Sequence, residues 1–197
     1  MGHDLYSFVF RGQLAEQALD KAGHKRYSTE EAFFSEDLAK KLHFDEIDSK
    51  YVELSKTMIT AFATITAFEN ATREFVYDTL VGAYGTDWWT KGVHDGIRNR
   101  AKTRKDSETK VKWHVNRGDA MMSYLDFGDL PKIMCSKENR QYFEPYFSFQ
   151  GGQEWVKTIF ETIGNSRNVI MHSGVLDELD IIRVGINIQD WLRQINA

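Results

Sequence analysis

The chain has 197 residues, 42% of them hydrophobic, which is enough for one globular domain with a real core and a modest appendage. Its 25 basic and 29 acidic residues leave a net charge of −4, so any nucleic-acid surface must be a local patch. One cysteine, Cys135, excludes an internal disulfide and a cysteine-rich zinc site, and two prolines with no sustained strand-like alternation predict an all-α fold.

Residues 5–23 read as a first helix, with Leu5, Phe8, Val9, Leu14, Ala18 and Leu19 as core contacts and Gly23 as its end. Ser28 with Glu31 three residues on has the form of a capping box and opens a second, short helix. Residues 1–45, polar around Lys40 and Lys41, are expected to form an N-terminal helical extension, either a cap or an arm that grips a partner. Residues 46–197 are expected to form a bundle.

The strongest helical pattern runs over 47–84. Tyr51, Leu54, Met58, Phe62, Ile65, Val76 and Leu80 share one face at spacings of three and four, with one gap. Glu69 falls in the middle of that stripe, where a carboxylate is costly unless paired. Two readings are open: a structural pair with Arg73 one turn on, or a group that faces a cleft and orients a functional side chain. Gly85 ends the helix. Trp88 and Trp89 follow in a predicted loop, as anchors to the core or, as the lesser alternative, faces on which RNA bases stack.

Residues 93–117 hold the one basic cluster: Arg98, Arg100, Lys102, Arg104, Lys105, Lys110, Lys112 and Arg117, with His94 and His114. Such a run is either a solvated face or a collector of phosphates through counterion release. Asp129 before Leu130-Pro131 reads as an N-cap. Asp126 and Asp129 lack a third ligand at a suitable spacing, so no metal is expected. Tyr142, Phe143, Tyr146, Phe147 and Phe149 form an aromatic packing segment broken at Pro145.

Gly151-Gly152 leads into a helix over 153–172 with an apolar stripe of Trp155, Val156, Ile159, Phe160 and Ile163. It ends in Asn165-Ser166-Arg167-Asn168-Val169-Ile170-Met171-His172-Ser173-Gly174. Arginine offers a rigid fork of donors that fits phosphate. Histidine can give or take a proton near neutral pH. Five residues along an ideal helix turn about 140°, so the two side chains do not stack on one face. They converge only if the helix ends or bends between them, or if a second copy faces the first. A last helix over 177–194 is capped by Asp177, takes Leu179, Ile182, Ile186, Trp191 and Ile195 as its core side, and is weakened by Gly185. The four main helices are 47–84, 130–143, 153–172 and 177–194.

Arg167-x4-His172, with Asn168 after the arginine, resembles the R-x(4–6)-H motif of HEPN domains. Ala83-Tyr84-Gly85-Thr86-Asp87-Trp88-Trp89 and Tyr124-Leu125-Asp126-Phe127-Gly128-Asp129-Leu130 make the likeness one to the Swt1-like branch, over roughly 50–190. The resemblance implies a small helical bundle acting as a metal-independent RNA endonuclease in toxin–antitoxin or antiphage defence. It implies a homodimer, an antitoxin or defence partner, and no cofactor. Arg167, His172, Asn168 and Glu69 are then the catalytic candidates; Arg98, Arg100, Lys102, Arg104, Lys105 and Ser173 are the RNA-binding ones. The alternative is a non-catalytic module that dimerises or binds a partner or ligand. No stretch is apolar enough to span a bilayer and no signal peptide is evident, so a soluble, cytoplasmic protein is expected.

Overall fold

In the computed structural model, residues 36–118, 120–147 and 149–196 are described. The helices expected over 5–23 and after Ser28 lie outside them. All described secondary structure is helical. The chain divides into two compact units, residues 1–53 and 54–197. Within the first, α1 (Glu36–Lys41) is followed by a 3-10 turn, Phe44–Glu46. Helix α2 (Ser49–Tyr84) begins in that unit and contributes its residues from Leu54 onward to the second. There it is joined by α3 (Trp88–Gly92), α4 (Asp95–Glu108), α5 (Asp129–Met134), α6 (Arg140–Phe147), α7 (Gly152–Met171) and α8 (Glu178–Ile195).

The core of the second unit forms where α2, α7 and α8 meet. Ile65, Phe68, Val76 and Leu80 of α2 are buried against Val156, Ile159, Phe160 and Ile163 of α7 and against Val184, Ile188 and Trp191 of α8. Trp191 is its hub: its ring lies 5.1 Å from Phe160, 5.3 Å from Phe147 and 6.0 Å from Phe75, the first and last edge-on. Such pairs add to the burial of a large aromatic surface. Only glycine fits at 152, because a Cβ there would lie 2.1 Å from the Phe147 carbonyl oxygen.

Several sequence expectations are corrected. Tyr51, Leu54 and Phe62 continue the apolar stripe of α2 yet are exposed. Trp88 and Trp89 lie in helix α3 rather than a loop, although both do pack against the core. The single helix expected over 130–143 is two. Asn139 is buried between them and donates to the carbonyls of Ile133 (2.8 Å) and Gly92 (2.7 Å), which holds the intervening turn. Pro145 sits inside α6 and does not break it; the helix ends two residues later.

Helix α8 is apolar on two sides. Val184, Ile188 and Trp191 are buried. Leu179, Ile182 and Ile186, expected as core, are exposed. At about 100° per residue the two sets lie on roughly opposite faces, so they never formed one stripe.

Candidate active site

The motif helix ends in a Schellman turn. Gly174 N–H donates to Val169 O (2.8 Å), and Ser173 N–H donates to Ile170 O (3.0 Å). Ser173 therefore takes the left-handed position, at φ 60°, which a glycine usually fills. Gly174 is small for a different reason: a Cβ would meet Val169 Cγ1 at 2.7 Å. His172 is the residue at which the helix stops, and its imidazole is exposed. No hydrogen bond to it is formed among the described residues.

One turn back, Arg167 and Asn168 line a cleft of about 810 Å³ between the C-terminal half of α7, the middle of α2 and the segment 117–128. Glu69, whose side chain is 13% exposed, stands on its α2 wall. The two oxygens of Glu69 are divided: one pairs with Arg73, as expected, and the other meets Arg167 at the cleft. Oε1 accepts from Arg73 Nη2, and Oε2 accepts from Arg167 Nε at 3.2 Å. A buried carboxylate between two guanidiniums is paid for by charge pairing. The Arg167 side chain keeps 33% of its surface, and Nη1 and Nη2 have no partner among the described residues. The bond to Glu69 through Nε fixes the plane of the fork.

Arg73 is held in turn. Its Nη1 donates to Met122 O (2.6 Å) and its Nη2 to Leu125 O (2.8 Å). The segment it grips, Met122 to Leu125, runs into Tyr124–Leu130, which α4 grips from its own side. Arg104 donates to Tyr124 O (2.8 Å) and to Asp126, and Arg100 donates to Asp129 (2.8 Å). Asp129, only 3% exposed, is not the N-cap; Gly128 holds that position without a side-chain bond. Its carboxylate accepts from the Asp126 N–H (3.2 Å) and anchors the cations of α4. Phe127 then packs on Phe160 at 5.1 Å and on Phe68 at 6.2 Å. So the segment, besides walling the cleft through Leu125 to Gly128, seats Arg73, which seats Glu69, which seats Arg167.

Tyr84–Trp89 also serves the scaffold. Gly85 turns the chain at φ 59°, and Tyr84 Oη lies 3.0 Å from Asn139 Oδ1.

The basic cluster of 93–117 divides. Arg98 donates to the Val93 (3.1 Å) and Thr90 carbonyls and to Asp95, tying off the end of α3. With Arg100 and Arg104 bound as above, three of the expected RNA-binding arginines hold the fold. Lys102 is exposed, and Lys105 lies 5.7 Å from the Tyr124 ring. None of Arg98, Arg100, Lys102, Arg104, Lys105, Ser173 or His172 lines the cleft. Arg117 does, and so do Asn70 and Asn165. The signal for these two was a polar stripe at helical spacing, Thr66, Glu69, Asn70 and Arg73 on α2 opposite Glu161, Asn165 and Asn168 on α7. Burial pushes the Cys135 thiol up from its ordinary value. Among the described residues no group of three His, Cys, Asp or Glu side chains could hold a metal ion, and no helix is long and apolar enough to cross a membrane.

A family model described as Swt1-like HEPN matches residues 64–196. Comparison with the curated proteins and with the solved structures gives no match.

Proposed function

The chain belongs to the Swt1-like HEPN family, and from that premise we propose that it is a metal-independent RNA endonuclease whose site is completed by a second copy of the chain. The reading is carried by Arg167: its Nε is fixed by Glu69 while its two terminal nitrogens face a cleft unpaired among the described residues. In the reaction the 2′-hydroxyl attacks the adjacent phosphorus and the bond to the 5′-oxygen breaks. One proton leaves the 2′-oxygen and one reaches the 5′-oxygen, giving a 2′,3′-cyclic phosphate and a 5′-hydroxyl. Arg167 takes the charge that grows on the phosphoryl oxygens, and Asn168 orients one of them. His172 moves a proton. Glu69 has both oxygens committed to arginines, so its part is positioning rather than proton transfer.

His172 stands outside the cleft that Arg167 lines, so the histidine that moves a proton at one copy's Arg167 is the facing copy's, and solvent carries the other proton. A facing copy supplies what one chain lacks. Two features support it. Val169, Met171 and Val175, on either side of His172 in the chain, are exposed apolar side chains. Helix α8 carries its second apolar face, Leu179, Ile182 and Ile186, outward. A helix apolar on both sides is one that becomes covered on both. A toxin or antiphage effector, restrained by a partner protein, is the setting that fits an RNA-cutting member of this family.

The test is incubation of several RNAs with wild type and with His172→Ala in EDTA. Wild type alone is expected to leave 5′-hydroxyl and cyclic-phosphate ends. Equal cleavage by both, or none by a folded wild-type dimer, overturns the reading. The placement of His172 outside the cleft favours a second reading, a non-catalytic module that binds its ligand through Arg167. In that case Arg167→Ala abolishes binding while His172→Ala changes nothing.

A further inference from the structure

We propose that the loop 109–118 is a capture element for single-stranded RNA, with Trp113 as the surface on which a base stacks and Lys110 and Lys112 as its phosphate contacts. The loop leaves the end of α4, and its base is closed by an ion pair between Glu108 and Arg117 at 2.5 Å, with the Arg117 N–H donating to the same carboxylate at 3.2 Å. Between those staples every residue is exposed. Trp113 keeps 86% of its surface and Val115 88%. The chain's other four tryptophans all pack in or against the core. Among the described residues Trp113 packs on no core group, and its one ring neighbour is His114, edge-on at 5.6 Å. An indole left in water forgoes a large burial gain, which makes it the informative kind of exposed residue.

The chemistry around it selects the ligand. Lys110 and Lys112 alternate with Val111 and Trp113, and neither lysine has an ion-pair partner among the described residues. An aromatic face set between unpaired cations fits a strand that offers bases and phosphates in alternation. A duplex hides its base faces, so the fit is to a single strand. The arginines of α4 are consumed by carboxylates and carbonyls, and among the cluster's lysines without an ion-pair partner in the described residues, Lys110 and Lys112 are the two that flank Trp113. Position gives the loop its purpose. Arg117, four residues after Trp113, lines the cleft that holds Arg167. A strand held at the tip is thus led towards the site, a destination that rests on the ribonuclease reading, whereas the capture itself does not.

Full-length protein carrying His172→Ala, so that RNA stays intact, is titrated into a labelled oligouridylate of about 12 nucleotides and followed by fluorescence anisotropy. Trp113→Ala is expected to weaken binding about tenfold, with Trp113→Phe recovering most of it. Lys110→Gln with Lys112→Gln is expected to lower the slope of log K against log salt by about 1.4. The side chains are exposed, so these variants fold. Unchanged affinity in Trp113→Ala overturns the proposal. So does a loss seen equally with duplex RNA, or one confined to vesicles of phosphatidylserine and phosphatidylcholine. Cleavage by the proteins with His172 intact separates the two readings. Trp113-dependent binding with no cleavage upholds capture and sinks the nuclease. Cleavage of dilute RNA that is indifferent to Trp113→Ala sinks capture and upholds the nuclease.

Discussion

Two groups of arginines in the second unit look alike in sequence and do opposite work. Arg98, Arg100 and Arg104 of α4 point their guanidiniums at carbonyls and at Asp95, Asp126 and Asp129, and hold the chain segments around them. Arg167 of α7 gives one nitrogen to Glu69, and its other two have no partner among the described residues. What separates them is the ratio of donors to nearby acceptors. A guanidinium beside two carbonyls and a carboxylate is used up, and one that shares a single carboxylate with a second arginine is not. The net charge of a segment is therefore a poor guide to which of its cations are left without a partner.

The comparison breaks most sharply on activity. Arg167→Ala is expected to lower RNA cleavage by about 10²–10³-fold while leaving the melting temperature nearly unchanged, because Glu69 still has Arg73. Arg167→Lys keeps the charge but loses the fork and should recover little. Arg104→Ala is expected to do the reverse. It strips partners from Asp126 and the buried Asp129 and costs about 2–3 kcal/mol in denaturant unfolding, with any loss of cleavage following from lost fold. Should Arg104→Ala leave stability intact and reduce RNA affinity, the α4 arginines would be ligand-binding after all.

Ile186→Glu puts a charge on the outward face of α8. It should leave the monomer's fold intact, shift a dimer towards monomer by light scattering, and lower cleavage in proportion. Lys102→Ala, an exposed cation, should change stability by less than about 0.5 kcal/mol. Ser173→Gly relieves a left-handed backbone and is expected to raise stability by about 0.5–1 kcal/mol, read as a higher denaturant midpoint.

Much of this arrangement was legible in the sequence where periodicity was strong. The long helix expected over 47–84 is Ser49–Tyr84, the motif helix expected over 153–172 is Gly152–Met171, and the last, expected over 177–194, is Glu178–Ile195. Asp177 caps that last helix through the Asp180 N–H (2.7 Å) as expected. Glu69 could be singled out because it interrupts an apolar stripe. What could not be read is set by long-range partners. Helix α4 buries only Ile97 and Ala101, too few to show a period. The break between α5 and α6 depends on Asn139 reaching carbonyls at Ile133 and Gly92. Asp129 looked like a cap because its neighbours fit one; its real partners, Arg100 and Arg104, lie more than twenty residues away. Leu179, Ile182 and Ile186 were assigned to the core because they are apolar, although their helical angles place them opposite Trp191.

The idea on which most depends is that an arginine of one copy and a histidine of the other share a site. Arg167→Ala and His172→Ala proteins, each inactive as a homodimer, are co-refolded and assayed together. In a two-fold dimer, a mixed pair retains one site with both residues intact, so about a quarter of wild-type activity returns. If both groups must come from the same chain, the mixture cleaves no faster than either variant alone.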